Sequence, residues 1–238
     1  MAIWQERAAL LFKEEGLEKL KNANVLVVGL GGVGSFAAEF LARAGVGTMT
    51  IVDGDTVDIT NINRQLPALH STIGMAKVHV VGDRLMDINP ELKLTRIEEF
   101  LSPERTHEVV TEEYDYVLDC IDSVTPKINL ILAAKRKRIK VISAMGAGGK
   151  MVASKVVVKD IGKTEVCPLA KQIRKRLKKE GISSGVKAVF SKEKPDESSL
   201  KMTDGSNFKK SFFGTNSWMP ALFGLLAAEN VIRYLLSK

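Results

Sequence analysis

The sequence has few of the residues that build disulfide-bonded or zinc-centred proteins. Among its 238 residues only two are cysteines, Cys120 and Cys167, and they form no C-x-x-C pair. This excludes a disulfide framework and a zinc site made of four thiolates. The three histidines, His70, His79 and His107, are scattered, without the spacing of a metal site or a catalytic triad. The chemistry of this chain therefore depends on other side chains.

Long apolar segments are also scarce. The N-terminal stretch MAIWQERAALLFKEE contains acidic residues and no uninterrupted apolar run, so it does not resemble a secretory signal. The apolar stretch from Trp218 to Leu236 is interrupted by Glu229, Asn230 and Arg233. A membrane span needs about 20 mainly apolar residues, so we expect a buried or amphipathic closing helix here and no membrane insertion. These features predict a soluble, cytoplasmic protein.

Acidic residues are sparse in the C-terminal part of the chain. Residues 1–150 carry 18 lysines and arginines against 20 acidic residues, whereas residues 151–238 carry 17 against 8. Six of these cations fall within one predicted helix: Lys171, Arg174, Lys175, Arg176, Lys178 and Lys179. Such asymmetry indicates a polyanionic partner, in a cytoplasmic enzyme most often a nucleic acid, or a basic surface that is merely solvated. Composition alone does not decide between them.

Strand-like and helical patterns alternate through the first 145 residues. The predicted strands cover residues 24–28, 48–53, 92–98, 115–120 and 140–144, and the predicted helices cover 4–20, 33–45, 75–88, 102–112 and 124–138. Alternation of this kind predicts an α/β, Rossmann-like fold with a mostly parallel sheet and helices on both faces. The C-terminal extension is predicted to contain strands at 152–158 and 186–190, the basic helix at 169–180, a mobile polar loop at 191–210 and the final helix.

A glycine-rich loop follows the first predicted strand. Its glycines, Gly29, Gly31, Gly32 and Gly34, would let the backbone approach a phosphate at the start of the next helix. Asp53 ends the second strand, where a carboxylate can accept hydrogen bonds from ribose hydroxyls. The loop therefore predicts a nucleotide, although it does not say which one, and a tight packing turn without a ligand is the alternative.

Further polar residues follow the next strands, at the edge where ligands gather in open α/β sheets. They are Asn61, Asn63, Arg64 and Gln65 after the second strand, Lys77 at the start of the next helix, and Asp122 and Ser123 after the strand that ends at Asp119. Arginine and lysine suit phosphate oxygens, and a carboxylate suits Mg²⁺. A nicotinamide-dependent oxidoreductase would leave Arg64, Lys77 and Asp122 without a role. The set predicts ATP with Mg²⁺, with Asp122 as the metal ligand.

Several of these residues also have purely structural alternatives. Alone, Arg64 and Lys77 would be solvated surface cations, and Asp122 would cap the helix that begins near Thr125. Asp55 and Asp58 also suit capping of the turn after the second strand. Cys120, between Asp119 and Ile121, is interpreted as a small core residue and not as a nucleophile. Only the combination of these residues favours a catalytic site.

In this order the motifs G-x-G-G-x-G, D-x-D, T-N-x-N-R-Q, G-x-x-K and D-x-x-D-S resemble the adenylating domain shared by ubiquitin-activating-type enzymes and the activators of thiamine and molybdopterin sulfur carriers. Within that superfamily the chain is most similar to the tRNA threonylcarbamoyladenosine dehydratases. The features that carry this resemblance are Asn61–Gln65, Asp122–Lys127, Gly146–Gly149, Val189–Ser191 with Glu193, and Pro220–Gly224. The resemblance runs over nearly the whole chain. It departs at Pro67, where a histidine is expected, and at Ala188, where some relatives carry a cysteine.

The resemblance implies ATP-dependent dehydration of threonylcarbamoyladenosine in tRNA through an acyl adenylate. It implies catalytic roles for Arg64, Lys77 and Asp122, and a homodimer in which Arg7 reaches the partner's phosphates. Residues 1–150 would form the ATP-binding domain, and residues 151–238 a basic extension packed on that domain that contacts tRNA.

Two alternatives remain open. One is an enzyme that activates the C-terminus of a ubiquitin-like sulfur carrier, which would bring a sulfur-transfer protein as partner. The other is a tRNA-binding protein without catalytic activity, which would explain the basic helix but not Asp122.

Overall fold

Strands and helices alternate along the chain in the computed structural model, which describes residues 3–203 and 211–238. The strands are β1 (Asn24–Val28), β2 (Thr48–Val52), β3 (Lys93–Ile97), β4 (Tyr116–Asp119), β5 (Lys140–Ala144), β6 (Val156–Asp160), β7 (Lys187–Ser191), β8 (Leu200–Met202) and β9 (Ser211–Phe213). The helices are α1 (Glu6–Lys21), α2 (Gly34–Ala44), α3 (Lys77–Ile88), α4 (Pro103–Val109), α5 (Val124–Arg136), α6 (Pro168–Lys179) and α7 (Trp218–Leu236).

Seven strands form one sheet in the order β3-β2-β1-β4-β5-β7-β6. Strands β1 to β5 and β7 are parallel, and β6 runs antiparallel to β7. The predicted α/β fold with a mostly parallel sheet is confirmed. Strands β6 and β7 follow residue 150 and extend the same sheet. The chain changes its direction of winding between β1 and β4, and such a switch point opens a crevice at the carboxyl ends of the strands.

Helices cover both faces of the sheet, because its central strands are apolar on both sides. On one face α2 and α7 bury Leu41 and Phe223 against the sheet, and on the other face α5 and α6 bury Ile131 and Ile173. The contact between α2 and α7 is close at Gly224, where an added Cβ would lie 2.4 Å from the carbonyl oxygen of Val33. Helix α7 therefore supports the end of the glycine-rich loop as well as the core.

Helix α7 is long and apolar enough to cross a membrane by the criteria of length and composition. In the fold it is a packed helix that buries residues along its whole length, from Met219 to Leu235. This placement matches the closing helix expected from the sequence.

Three elements differ from the sequence-based expectation. Helix α1 is broken at Lys13, whose φ of 63° is not helical. Strand β6 begins at Val156, and the residues before it, Ala153–Lys155, form a short 3₁₀ turn. The segment predicted as a polar loop contains the 3₁₀ turn Glu197–Ser199 and strand β8, which pairs antiparallel with β9. The remainder of that predicted loop, residues 204–210, lies outside the described residues.

Candidate nucleotide-binding site

The glycine-rich loop connects β1 to α2 at the switch point of the sheet. Gly29 has φ of 89°, and an added Cβ would lie 2.9 Å from the carbonyl oxygen of Cys120. At Gly34, the first residue of α2, an added Cβ would lie 1.7 Å from the carbonyl oxygen of Gly29. Both positions exclude a side chain. Backbone therefore lines this end of the crevice, as a loop that holds phosphate at a helix N-terminus requires.

The two middle glycines let other elements approach the loop. An added Cβ at Gly32 would lie 2.9 Å from Cβ of Pro220 in α7 and 3.0 Å from the carbonyl oxygen of Arg64. An added Cβ at Gly31 would lie 3.7 Å from Nε2 of Gln65. The side-chain oxygen Oε1 of Gln65 is buried and has no hydrogen-bond partner within the described part of the chain. A buried acceptor without a partner beside a phosphate-type loop fits a ligand or an ordered water.

Asp53 follows β2 and lies beneath the loop. Its Oδ2 accepts a hydrogen bond from the backbone N–H of Leu30 at 2.5 Å, and its Oδ1 accepts one from Asp55 at 2.8 Å. Burial raises the pKa of Asp53, while the Leu30 N–H and the ammonium of Lys77 oppose that rise. Each carboxylate oxygen keeps acceptor capacity after one hydrogen bond, so a ribose hydroxyl remains compatible with this position.

Lys77 opens α3 and is buried, in contrast to the solvated lysine that it would be in isolation. Only 6% of its side chain is exposed, and its ammonium lies 2.9 Å from Oδ2 of Asp55. The partner is more than half exposed. The sequence suggested a capping role for Asp55 and did not predict this ion pair. Asp58, the other candidate cap, accepts a hydrogen bond from the backbone N–H of Thr60. The lysine is held close to Asp53, at the edge of the crevice.

Arg64 follows β2 and Asp122 follows β4, and Arg64 lies within electrostatic range of the Asp122 carboxylate. Arg64 donates from Nη1 to the carbonyl oxygen of Thr60 at 2.9 Å and to Oδ1 of Asn63 at 2.8 Å. Burial lowers the pKa of Arg64, and the nearby carboxylate of Asp122 opposes that shift. Asp122 is itself exposed. The pair places one cation and one solvent-facing carboxylate beside the glycine loop.

The other residues proposed from the sequence have clear structural positions. Asn61 is buried and accepts a hydrogen bond from the backbone of Asp58. Ser123 is the N-cap residue of α5, so Asp122 does not occupy the capping position considered above. Burial raises the pKa of Cys120 to about 12, which keeps its thiol protonated. Arg7 lies exposed on α1.

A buried polar network supports the loop that carries Asp122. Asp119 and Lys127 lie in motifs that carry the family resemblance, but their pairing was not predicted. The ammonium of Lys127 lies 2.8 Å from Oδ2 of Asp119, and the side chains of both residues are fully buried. Ser143 donates to the same carboxylate oxygen at 2.5 Å. Burial raises the pKa of Asp119, and Lys127 and Ser143 act against that rise by stabilising the ionised form. The other carboxylate oxygen accepts the backbone N–H of Ile121, next to Asp122.

These residues fit ATP better than they fit a resident metal centre. The crevice combines a backbone loop closed to side chains, Arg64 and Lys77 as cations, and the unpartnered oxygen of Gln65. Within residues 3–203 and 211–238 no group of three metal-ligating side chains is present. A magnesium ion bound to a nucleotide takes most of its ligands from phosphate and water and needs one or two carboxylates from the protein. Asp122, which is exposed after β4, is the carboxylate that could supply such a ligand.

The basic helix α6 lies on the face of the sheet covered by α5. Four of its cations, Lys171, Arg174, Lys175 and Lys178, border a shallow pocket with Ile161 and Ser183. One of them, Arg174, is half-buried and donates to the carbonyl oxygen of Thr164 at 2.8 Å. Arg176 points elsewhere and donates to Oγ1 of Thr125, in the first turn of α5, at 3.0 Å. Lys179 is exposed. The cations of α6 therefore divide between an outer pocket and the side near Asp122.

Comparison with known proteins places this geometry among adenylating enzymes. The ThiF family model matches residues 5–238. The tRNA threonylcarbamoyladenosine dehydratase of Bacillus subtilis is 41% identical over 237 residues, which cover 97% of this chain and 93% of that protein. The crystal structure of the Escherichia coli tRNA N6-threonylcarbamoyladenosine dehydratase in complex with ATP superimposes with a TM-score of 0.89 at 36% identity and covers 100% of this chain and 96% of that one. The molybdopterin-synthase adenylyltransferase of Escherichia coli is 37% identical over 132 residues, 56% of this chain and 53% of that protein.

Proposed function

The chain belongs to the ThiF family, and from this premise we propose that it catalyses the ATP-dependent dehydration of threonylcarbamoyladenosine in tRNA. The observation that carries the proposal is the backbone-lined glycine loop at the switch point of the sheet, with the buried ammonium of Lys77 and the unpartnered Oε1 of Gln65 nearby. The dehydratase relatives match nearly the whole chain, whereas the carrier-activating relative matches about half of it. A tRNA substrate would also explain the positive charge of the C-terminal part, because its phosphates are negatively charged.

In the proposed reaction the threonylcarbamoyl carboxylate is converted to an acyl adenylate with release of pyrophosphate. The ureido group then closes on the activated carbonyl and expels AMP, so that water is removed overall. Arg64 and Lys77 stabilise the negative charge on phosphate oxygens. Asp122 would hold Mg²⁺, which when bound would supply further neutralisation of phosphate charge. The protein positions and neutralises charge and needs no covalent nucleophile, in keeping with the protonated thiol of Cys120.

The direct test measures the nucleoside product. Purified protein, ATP, Mg²⁺ and tRNA that carries threonylcarbamoyladenosine should yield the cyclic nucleoside by mass spectrometry, with AMP and pyrophosphate released in equal amounts. Cells that lack the protein should accumulate the open form. Failure to form the cyclic nucleoside, together with ATP-dependent adenylation of a small protein ending in Gly-Gly, would instead support the activation of a sulfur carrier.

Arg64→Ala and Lys77→Ala should each lower the rate of adenylate formation by roughly 10²-fold, because each removes a cation aimed at developing phosphate charge. The rate is measured as ATP–pyrophosphate exchange in the presence of substrate tRNA. Lys93→Ala is a matched control, since this lysine is exposed at the start of β3. If either variant lost affinity for tRNA but kept its exchange rate, the residue would not act on ATP.

We propose that residues 1–150 form the adenylating domain and that the extension 151–238, packed on it, binds tRNA through α6. The support is the charge of the extension, 17 basic against 8 acidic residues, and the concentration of six cations on one helix. Replacing Arg174, Lys175 and Lys178 with Glu should weaken tRNA binding and reduce the log-log salt slope by roughly 0.7 to 0.9 for each phosphate that the variant no longer neutralises. Affinity for ATP should remain, because the crevice is formed by other elements. Unchanged tRNA affinity and salt slope would remove α6 from the tRNA interface.

We also infer a homodimer in a cytoplasmic setting. Four large apolar side chains of the N-terminal segment, Ile3, Trp4, Leu10 and Leu11, are exposed between 44% and 91%. A second copy that covered them would remove apolar surface from water, and Arg7 lies within the same segment. Through that contact Arg7 of one copy would reach the phosphates bound by its partner.

A further inference from the structure

Two segments beside the crevice are joined by hydrogen bonds into one unit, which we name the clamp: residues 148–151, which follow β5, and residues 211–219, which lead into α7. The bonds run from Gly149 N to Gly214 O at 2.8 Å, from Asn216 Nδ2 to Lys150 O at 2.8 Å, and from Trp218 Nε1 to Met151 O at 3.1 Å. Each of the three bonds is accepted by a backbone carbonyl oxygen, so directed hydrogen bonds as well as packing fix the relative position of the two segments.

The clamp touches the candidate nucleotide site. Asn63 donates from Nδ2 to the carbonyl oxygen of Thr215 at 2.8 Å, and its own Oδ1 accepts from Arg64 at 2.8 Å. One amide side chain thus connects the clamp to the arginine proposed to hold phosphate. The clamp therefore adjoins the candidate nucleotide site through Asn63.

The clamp presents aromatic side chains to solvent. In the β8–β9 pair Phe212 lies opposite Lys201, so the two share one face, while Phe213 turns the other way and packs over Gly148 and Gly149. Phe212 is 48% exposed, and Trp218 is 47% exposed although its indole N–H is bonded to Met151. An aromatic ring that is half exposed yet fixed by its neighbours is a surface on which a planar group can stack.

We propose that Phe212 and Trp218 each provide a stacking site for unpaired bases beside the modified adenosine of the RNA, an inference that rests on the proposed function. Sequence-specific RNA recognition takes unstacked bases from single-stranded loops onto aromatic side chains, because every base has an aromatic face. Lys201 lies beside Phe212, and Lys194 is exposed in the neighbouring segment before β8. The net positive charge of the extension favours RNA over an apolar protein partner as the occupant.

This surface has a role different from that of α6. The cations of α6 would contact the phosphate backbone without regard to base, whereas the clamp would hold bases near the site of adenylation. An enzyme that draws one modified base of a folded RNA into its site disturbs the stacking of the neighbouring bases. Phe212 and Trp218 would replace the stacking that the flanking bases lose.

The test uses full-length protein and a stem-loop RNA that carries threonylcarbamoyladenosine. Phe212→Leu and Trp218→Leu should each weaken RNA binding roughly tenfold, since both keep an apolar side chain and remove the stacking face. Trp218→Leu also removes the bond from Nε1 to Met151 O, so Phe212→Leu is the variant that isolates stacking. The salt slope of binding should not change, because the same phosphates remain neutralised. Phe212→Tyr should bind as the unmodified protein does. Leu225→Ala, an exposed apolar residue on α7 away from the clamp, is the matched control.

A second measurement reports stacking directly. In a Trp4→Phe background, Trp218 is the single tryptophan, and its fluorescence should be quenched on binding of the stem-loop RNA. Full RNA affinity in both leucine variants together with no quenching would overturn the proposal. A changed sedimentation coefficient in the leucine variants with unaltered RNA affinity would assign the surface to contact between copies of the chain and would also overturn it. If the unmodified protein neither bound nor dehydrated tRNA, the proposed function itself would fail.

Discussion

Asp122→Ala should abolish ATP–pyrophosphate exchange while leaving the fold intact. The carboxylate is exposed at the edge of the crevice and lies close enough to Arg64 to affect its pKa. Loss of a magnesium ligand removes charge stabilisation of several kcal/mol from the transition state, and each 1.4 kcal/mol corresponds to about a tenfold change in rate. Because the side chain is exposed, the free energy of unfolding should change by no more than about 1 kcal/mol.

The measurement is exchange of labelled pyrophosphate into ATP in the presence of substrate tRNA, beside a thermal unfolding curve for each variant. Glu112→Ala serves as the control, because it removes an exposed carboxylate outside the crevice. A folded Asp122→Ala variant with near-normal exchange would contradict the assignment of the magnesium ligand.

Lys127→Met should lower the free energy of unfolding by about 3–5 kcal/mol, because it leaves the carboxylate of Asp119 buried without its counter-charge. Loss of the ammonium should raise the pKa of Asp119 further than burial already does. A carboxyl whose pKa is raised in the folded state favours folding when it is protonated, and this contribution is lost as pH rises through the folded-state pKa. The deficit of the variant should therefore shrink as pH falls towards the ordinary range of carboxyl groups.

Chemical denaturation of wild type and variant at neutral and at acidic pH tests both parts of this prediction. Lys135→Met, on the same helix with an exposed ammonium, should have little effect. The double variant Lys127→Met with Asp119→Asn should recover part of the lost stability, since it removes both charges. A deficit that does not depend on pH would mean that Asp119 stays ionised without Lys127, and that packing accounts for the loss.

The sequence predicted the parts of this fold that depend on local pattern. Strand β1 and helix α7 have the predicted bounds, because β-branched residues in the strand and a mainly apolar stretch in the helix leave little ambiguity. The secondary-structure prediction was wrong where tertiary contacts determine the local structure. The apolar residues after Gly149 suggested a strand from residue 152, but Val152 donates its backbone N–H to Glu193 and the strand begins only at Val156. Strands β8 and β9 are three residues each and too short for a periodic signal.

The candidate site likewise has features that the sequence predicts and features that only tertiary packing determines. Glycine spacing after a strand predicted the loop, and the structure places Gly29 and Gly34 where an added side chain would meet backbone. The roles of Arg64, Lys77 and Asp122 stay predictions. The buried partners were not predictable. A lysine in the first turn of a helix, such as Lys127, is normally solvated, and only the three-dimensional packing of β4, β5 and α5 shows that it is enclosed. The pairing of Lys77 with Asp55 likewise depends on how the chain turns between β2 and α3.

The packing of α7 against the glycine loop has a consequence for biosynthesis. Pro220 lies against Gly32, and Gly224 lies against Val33, so the loop after the first strand takes its shape from the helix that leaves the ribosome last among the described elements. Nascent chains begin to fold from the N-terminal side during synthesis. The first strands of the sheet can pair early, but the loop stays without its packing partner until α7 has emerged. A growing chain on the ribosome should therefore acquire much of its sheet before it acquires affinity for nucleotide.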